Sequence, residues 1–290
     1  MGYIFYHQVA FSIFFSILIL TLNAFAKNNK SQKDWEDFNP NNFDYSSITI
    51  DNKWFPLIPG THLVYEGYAI EESEKIARRI EFTVTDLSKV IGSTNTVVVW
   101  IVDYVDGELA EIEIAFYAQD KDGTVWFFGE HPEAYDADGV LEEAPTWIAG
   151  LAEARPGIEM YSNPQLGSPS YSKGWAPEID WNDRAQIDKI GQSKCVPLDC
   201  YEDVLIINEF NYGESGIKEK YYAPGIGYIC LGWKGEEAQK ESLELIEVSQ
   251  VILGAMTEIR TQALDLEKHA YEISQDVYGK TTPMVQRPDN

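Results

Sequence analysis

Cations are scarce in this chain. Lysine and arginine number 22 against 47 aspartates and glutamates, giving a formal net charge of -25 over 290 residues. Nucleic-acid phosphates and anionic lipid surfaces repel such a polyanion, so neither is an expected partner. Histidine is scarcer, at four in the whole chain. His62, His131 and His269 stand far apart and form no HExxH, which removes the zinc-protease arrangement. There is no GxSxG elbow and no Walker-type glycine loop. Cysteine is limited to Cys195, Cys200 and Cys230, without the second Cys or His pair that a zinc site requires. No cofactor and no resident metal are therefore expected.

Long apolar runs are almost absent too. The exception is Val9 to Leu22, followed by the small-x-small signature Ala24-Phe25-Ala26. The run is short for a bilayer span, which takes about 20 residues. Residues 1–26 read as a signal peptide. A retained anchor is the alternative, because no Lys or Arg precedes the run while Lys27, Lys30 and Lys33 follow it. The expected location is periplasmic or secreted, with no stable membrane span after cleavage. That compartment permits a disulfide, and an odd count leaves one thiol. Cys195–Cys200 would close the short loop Val196-Pro197-Leu198-Asp199. Cys200–Cys230 would instead bridge a hairpin.

What is present is a core. Hydrophobic residues make up 44% and aromatic residues 13%, which excludes global disorder. Residues 27–50 form a polar, Asn-rich linker with Trp35, Phe38, Phe43 and Tyr45 available for docking. From Trp54 onward the rhythm is mainly two-residue alternation. Thr61 to Tyr68 is a first strand, and Ile80, Phe82 and Val84 mark the next. Thr96 to Tyr104 is apolar on both faces, as in a central strand. Asp106-Gly107 turns the chain into a strand carrying Ile112, Ile114 and Phe116 on one face and Glu111 and Glu113 on the other. Asp122-Gly123 turns it again into Val125 to Phe128.

Residues 129–185 are richer in Gly, Pro and acid and read as loop in part, with a hairpin turn over Tyr135 to Val140. Val204 to Phe210 and Lys218 to Tyr222 form a late hairpin around Gly213-Glu214-Ser215-Gly216. Gly225 and Gly227 would bend the second of these strands, and Ser242 to Val248 is the last. No helical segments separate the strands, so a parallel α/β sheet is not expected. The expected fold is mainly β: an antiparallel curved sheet or incomplete barrel over 51–249, a long C-terminal helix over 250–279 and a tail over 280–290. In the helix Ile252, Met256, Ile259, Ala263, Leu266, Ala270, Ile273 and Val277 form one stripe. It faces either the protein's own sheet or a partner in an oligomer.

Several stretches together resemble a family of exported bacterial β-rich proteins. They are Trp54-Phe55-Pro56-Leu57-Ile58-Pro59-Gly60-Thr61, Phe116-Tyr117-Ala118-Gln119-Asp120 with Gly123 to Glu130, Ala154-Arg155-Pro156-Gly157-Ile158-Glu159-Met160, and Lys220-Tyr221-Tyr222-Ala223-Pro224-Gly225-Ile226-Gly227. The resemblance spans roughly residues 52–248 and implies export and a β fold, with no activity to carry over. The C-terminal helix and the Cys195/Cys200 pair depart from the pattern.

Candidate sites follow from these limits. Asp120-Lys121-Asp122-Gly123 and Asp136-Ala137-Asp138-Gly139 resemble pieces of a calcium loop. Their register puts Ala118 and Ala134 at the first ligand position, so both read as hairpin turns. Glu178, Asp180 and Asp183 lie among Trp175 and Trp181, and Glu130 ends an aromatic strand. Such carboxylates serve glycan hydrolysis only if two converge. Arg155 sits in a Pro-Gly loop, either tying loop to sheet or anchoring an anion. The leading expectation is a non-catalytic binding protein whose sheet face holds an apolar or aromatic small molecule or a protein segment. Trp100, Trp126, Phe128, Trp147 and Trp233 would line that face. The alternatives are an assembly protein acting through its helix and a carboxylate-dependent glycan-active enzyme.

Overall fold

The computed structural model describes residues 34–71, 74–211, 216–235 and 240–287. The expected signal peptide at 1–26 and the turn residues Gly213, Glu214 and Ser215 lie outside the described residues. Five long strands open the sheet: β1 (Thr61–Glu71), β2 (Glu74–Ile91), β3 (Thr94–Val105), β4 (Glu108–Gln119) and β5 (Val125–Tyr135). Short β6 (Leu141–Glu143) and β7 (Trp147–Ile148) precede β8 (Arg155–Met160), and short β9 (Tyr171–Ser172) and β10 (Gly174–Trp175) follow it. The second long run is β11 (Arg184–Cys195), β12 (Cys200–Phe210), β13 (Ile217–Ala223), β14 (Gly227–Lys234) and β15 (Lys240–Gln250). Helix α1 (Leu253–Ile273) and β16 (Val285–Gln286) complete the chain.

Every described pairing is antiparallel, and the order is β10-β8-β5-β4-β3-β2-β1-β15-β14-β13-β12-β11-β9. The two end strands are neighbours in sequence, separated only by Lys173. The sheet therefore curls until its ends nearly meet, forming an almost closed barrel. Two glycines permit that meeting. A Cβ on Gly157 would lie 2.1 Å from the Gly174 nitrogen, and one on Gly174 would lie 2.2 Å from the Trp181 ring. Only backbone without a side chain can cross there.

The outer side of the β2–β5 wall is covered twice. Residues 38–48 lie against its aromatic end, where Phe38 and Phe43 pack edge-on against Trp126 and Phe128 at 5.5–6.3 Å. Helix α1 covers the rest through Met256, Ala263, Leu266 and Ala270. The helical stripe thus faces the protein's own sheet at its centre, while Ile252 is 75% and Ile273 42% exposed at its ends. Between helix and wall lies the buried Lys89. Its ammonium meets Glu267 at 2.8 Å, the Thr282 carbonyl at 2.7 Å and the Tyr278 ring at 4.3 Å. Glu267 in turn accepts from the Tyr278 hydroxyl and the Met284 amide. Past β16, Arg287 donates to the carbonyls of Ile48 and Thr85, joining the two ends of the described chain on one wall.

Three expectations change. Pro224-Gly225-Ile226-Gly227 does not bend one strand; it reverses the chain, so that Ala223 faces Gly227 and β14 runs back beside β13. Cys230 is thereby carried to Tyr221 and Glu244, away from Cys200. The disulfide is Cys195–Cys200 across the β11–β12 turn, with a Cα separation of 3.9 Å, and Cys230 is a free, buried thiol. The Cys200–Cys230 alternative is thus overturned by the reversal at Gly225. The third change is an addition within 129–185, read as loop only in part: β5 continues to Tyr135 and β8 forms at Arg155–Met160.

Lys89→Ala leaves the Glu267 carboxylate without its buried cation. It should cost about 3–5 kcal/mol in denaturant unfolding, and Lys89→Met combined with Glu267→Leu should recover most of that. Burial also pushes the Cys230 thiol up to about 11. A thiol assay without reductant should find no fast-reacting group in the native protein and one after unfolding.

Candidate functional site

Alternation along the strands sends one set of side chains into the barrel, and that set is charged. Lys173 meets Glu159 at 2.5 Å and Glu209 at 3.1 Å, and Lys220 meets Glu209 at 2.6 Å. Burial pushes the Glu209 carboxyl up, but Lys173 and Lys220 outweigh it and hold the group at about 2. Arg78 grips Asp103 and lies 3.6 Å from Glu241. On β4 and β5 the fully buried Glu113 and Glu130 sit diagonally across the register, with Ala115 opposite Glu130. Trp147 Nε1 donates to Glu130 Oε1 at 3.0 Å. The Glu113 carboxyl hydrogen-bonds to the Glu130 carboxylate beside it. Burial lifts Glu130 to about 7 and, with Glu130, Glu111 and Asp103 adding repulsion, lifts Glu113 well above the carboxylate range. Burial among other carboxylates favours the protonated form of Glu113, the form that can donate a hydrogen bond to Glu130.

The aromatic side chains expected to share one open face are divided among several places. Trp126 and Phe128 lie outside the barrel beneath Phe38 and Phe43, and Trp100 shares the outer side with Ile114. Trp147 points inward, 4.7 Å from Trp181 and 5.0 Å from Phe127, and fills the barrel. Trp233 stands on the opposite wall beside Lys218, half-buried. Trp100, Trp126, Phe128 and Trp147 are each 7% exposed or less. They form no single face, and these four are covered by the chain itself.

Arg155 leads to a different place. It is exposed, and its guanidinium lies 4.4 Å from the Trp35 ring centroid. Trp35 also packs on Trp175 at 4.9 Å. Beside them, at the seam where the barrel nearly closes, is a cleft of about 510 Å³. Trp35, Tyr161, Asn163, Gln165, Ser168 and Ser170 line it, with Glu36 and Asp37 at one side and Arg184 as its floor. Arg184 is fixed: it donates to the Ser170 hydroxyl at 3.1 Å and carbonyl at 2.6 Å, and lies 3.8 Å from Glu36. Trp35 and Arg155 were legible individually; their meeting depends on the N-terminal segment folding back over the seam.

The carboxylates considered for glycan hydrolysis do not share a space. Glu178 and Asp180 are exposed on the turn Pro177–Ile179 and its cap. Asp183 instead accepts from Asn211, and Glu130 is sealed inside. Asp120 and Asp136 each accept backbone N–H groups of their own hairpin turns. A cluster missed in the sequence is Glu133, which accepts from Tyr135 at 2.6 Å and meets His131 at 3.1 Å and His269 of α1 at 2.6 Å. The two-residue spacing of His131, Glu133 and Tyr135 signals one strand face; nothing in the sequence brings His269 to it. Among the described residues no group of three or more His, Cys, Asp and Glu side chains is placed to hold a metal ion, and no helix is long and apolar enough to cross a membrane.

No family model and no curated protein matches the sequence. Solved structures similar to it include two exported-protein candidates. One is a proposed exported protein with a YmcC-like fold from Bacteroides fragilis, at 11% identity and a TM-score of 0.40, covering 68% of this chain and 99% of that one. The other is a proposed lipoprotein from Parabacteroides distasonis, at 13% identity and a TM-score of 0.40, covering 69% of this chain and 100% of that one. Likenesses this distant carry no function across.

The buried carboxyls set two opposite pH dependences. Glu113 and Glu130 are raised in the folded state, so the unfolded chain releases their protons first and stability falls as pH rises from roughly 4 to 8. Glu113→Gln should therefore melt higher than the parent at pH 8, with the gap closing toward pH 4. Glu209 is depressed, so its contribution is present above roughly pH 4 and lost as pH falls toward 2. Glu209→Gln should lower the melting temperature at neutral pH and narrow that loss in acid.

Proposed function

We propose that this is an exported, non-catalytic binding protein that takes a neutral, hydroxyl-rich ligand, such as a saccharide, in the seam cleft. The lining of that cleft is the observation that carries the reading. Trp35 and Tyr161 offer aromatic surface, and Asn163, Gln165, Ser168 and Ser170 offer amide and hydroxyl groups in an open space of about 510 Å³. Acids on one side and Arg184 below leave no single sign of charge, which suits a neutral polar ligand. The occupied aromatic patch under Phe38 and Phe43 moves the expected ligand away from an apolar molecule. Export is supported by the apolar run before Ala24-Phe25-Ala26 and by the Cys195–Cys200 disulfide, a bond that persists in oxidising compartments.

Purified protein presented to an array of unmodified oligosaccharides should retain a subset. Trp35→Ala and Asn163→Ala should each weaken the best binder about tenfold, roughly 1.4 kcal/mol, without changing the circular dichroism. Retention of none, or equal retention by both variants, removes the reading.

A further inference from the structure

A second concavity lies away from the seam cleft, between the β5–β6 hairpin and the end of α1. Its volume is about 610 Å³. Leu141, Ile179, Ile273 and Val277 supply apolar surface, and Ile273 is 42% exposed there. Around them stand Glu142, Glu143, Glu178 and Asp276, with Lys280 as the cation of the lining. Glu142 sits beside Glu143 and, after burial, is the second cause raising the Glu143 carboxyl. The groove thus carries an excess of negative charge that a cation would relieve.

Strand pairing adds an independent observation. β6 hydrogen-bonds to β5 through Ala134 opposite Glu143 and Tyr135 opposite Leu141, and it pairs with no other described strand. One edge of β6 therefore has no strand beside it, and Leu141, Glu142 and Glu143 also line the groove. An open edge, an apolar floor and an acidic rim together define a particular occupant. We propose that this groove docks an extended segment of a partner protein in which lysine or arginine alternates with aliphatic residues. The segment adds to β6 by main-chain hydrogen bonds, as in β-strand addition. Its aliphatic side chains seat on Leu141, Ile179, Ile273 and Val277. Its cations meet Glu143, Glu178 and Asp276. The strand period of two supplies that division of side chains.

The test uses a blocked peptide of alternating lysine and leucine, titrated against the purified protein by fluorescence anisotropy at physiological salt. A polyanion attracts any cationic peptide, so the comparison is between positions. Glu143→Gln with Glu178→Gln, and separately Ile273→Ser, should each weaken binding about tenfold or more. Glu258→Gln with Asp265→Asn, the same charge change on the exposed face of α1, should leave it within about twofold. Hydrogen exchange should slow at residues 141–143 when the peptide is bound. Equal weakening by groove and remote variants, unchanged exchange at β6, or no binding would each overturn the proposal. None of these results bears on the seam cleft, whose lining residues are different.

Discussion

The architecture depends on one buried ammonium. Lys173 is the residue between the two terminal strands of the sheet order, and its side chain reaches Glu159 on one end of the sheet and Glu209 on the other. The three groups are almost fully buried, so none can fall back on water. A charge withdrawn from solvent is tolerable only where its partners are fixed in place, and here those partners belong to opposite ends of the curled sheet. Closure and charge pairing therefore impose the same geometry. Gly157 and Gly174 make the approach sterically open, and Lys173 makes it electrostatically necessary.

From that closure follows the division of labour between the two faces of the wall. Inside, small area and converging strands favour a packed mixture of Trp147, Trp181 and Phe127 with ion pairs, and set the Glu113 carboxyl against Glu130 with its protonated form favoured. Outside, the wall is more apolar and must be covered. The N-terminal segment and α1 share that task, and Lys89 and Glu267 are buried between helix and wall. The open concavities are then at the margins, where one covering element ends: the seam beside Trp35 and the groove beyond Ile273.

Much of the fold was legible because alternation is a direct imprint of a sheet with two unlike sides. Val97 to Ile101, and Ile112 to Phe116 against Glu111 and Glu113, announce both the strands and their polarity. β11 escaped notice for a physical reason. Lys189, Gly191, Gln192, Ser193 and Lys194 lie on a bulged, largely unpaired edge, where lysines and irregular register discourage aggregation and erase the apolar signal. The candidate site was less legible. Period tells which side a tryptophan faces but not what lies over it, so Trp126 and Phe128 looked available until Phe38 and Phe43 were placed. The disulfide turned on whether Gly225 bends or reverses the chain, a distinction that Pro-Gly-Ile-Gly alone does not make.

Arg287 has a consequence for the order of events during synthesis. Its guanidinium fastens Ile48 and Thr85, so a segment ahead of the first long strand is secured by a residue more than 200 positions further along the chain. β1 likewise waits for β15. A chain that emerges amino end first cannot finish this wall until residue 287 has been made. That dependence favours late, concerted assembly over closure of the wall strand by strand.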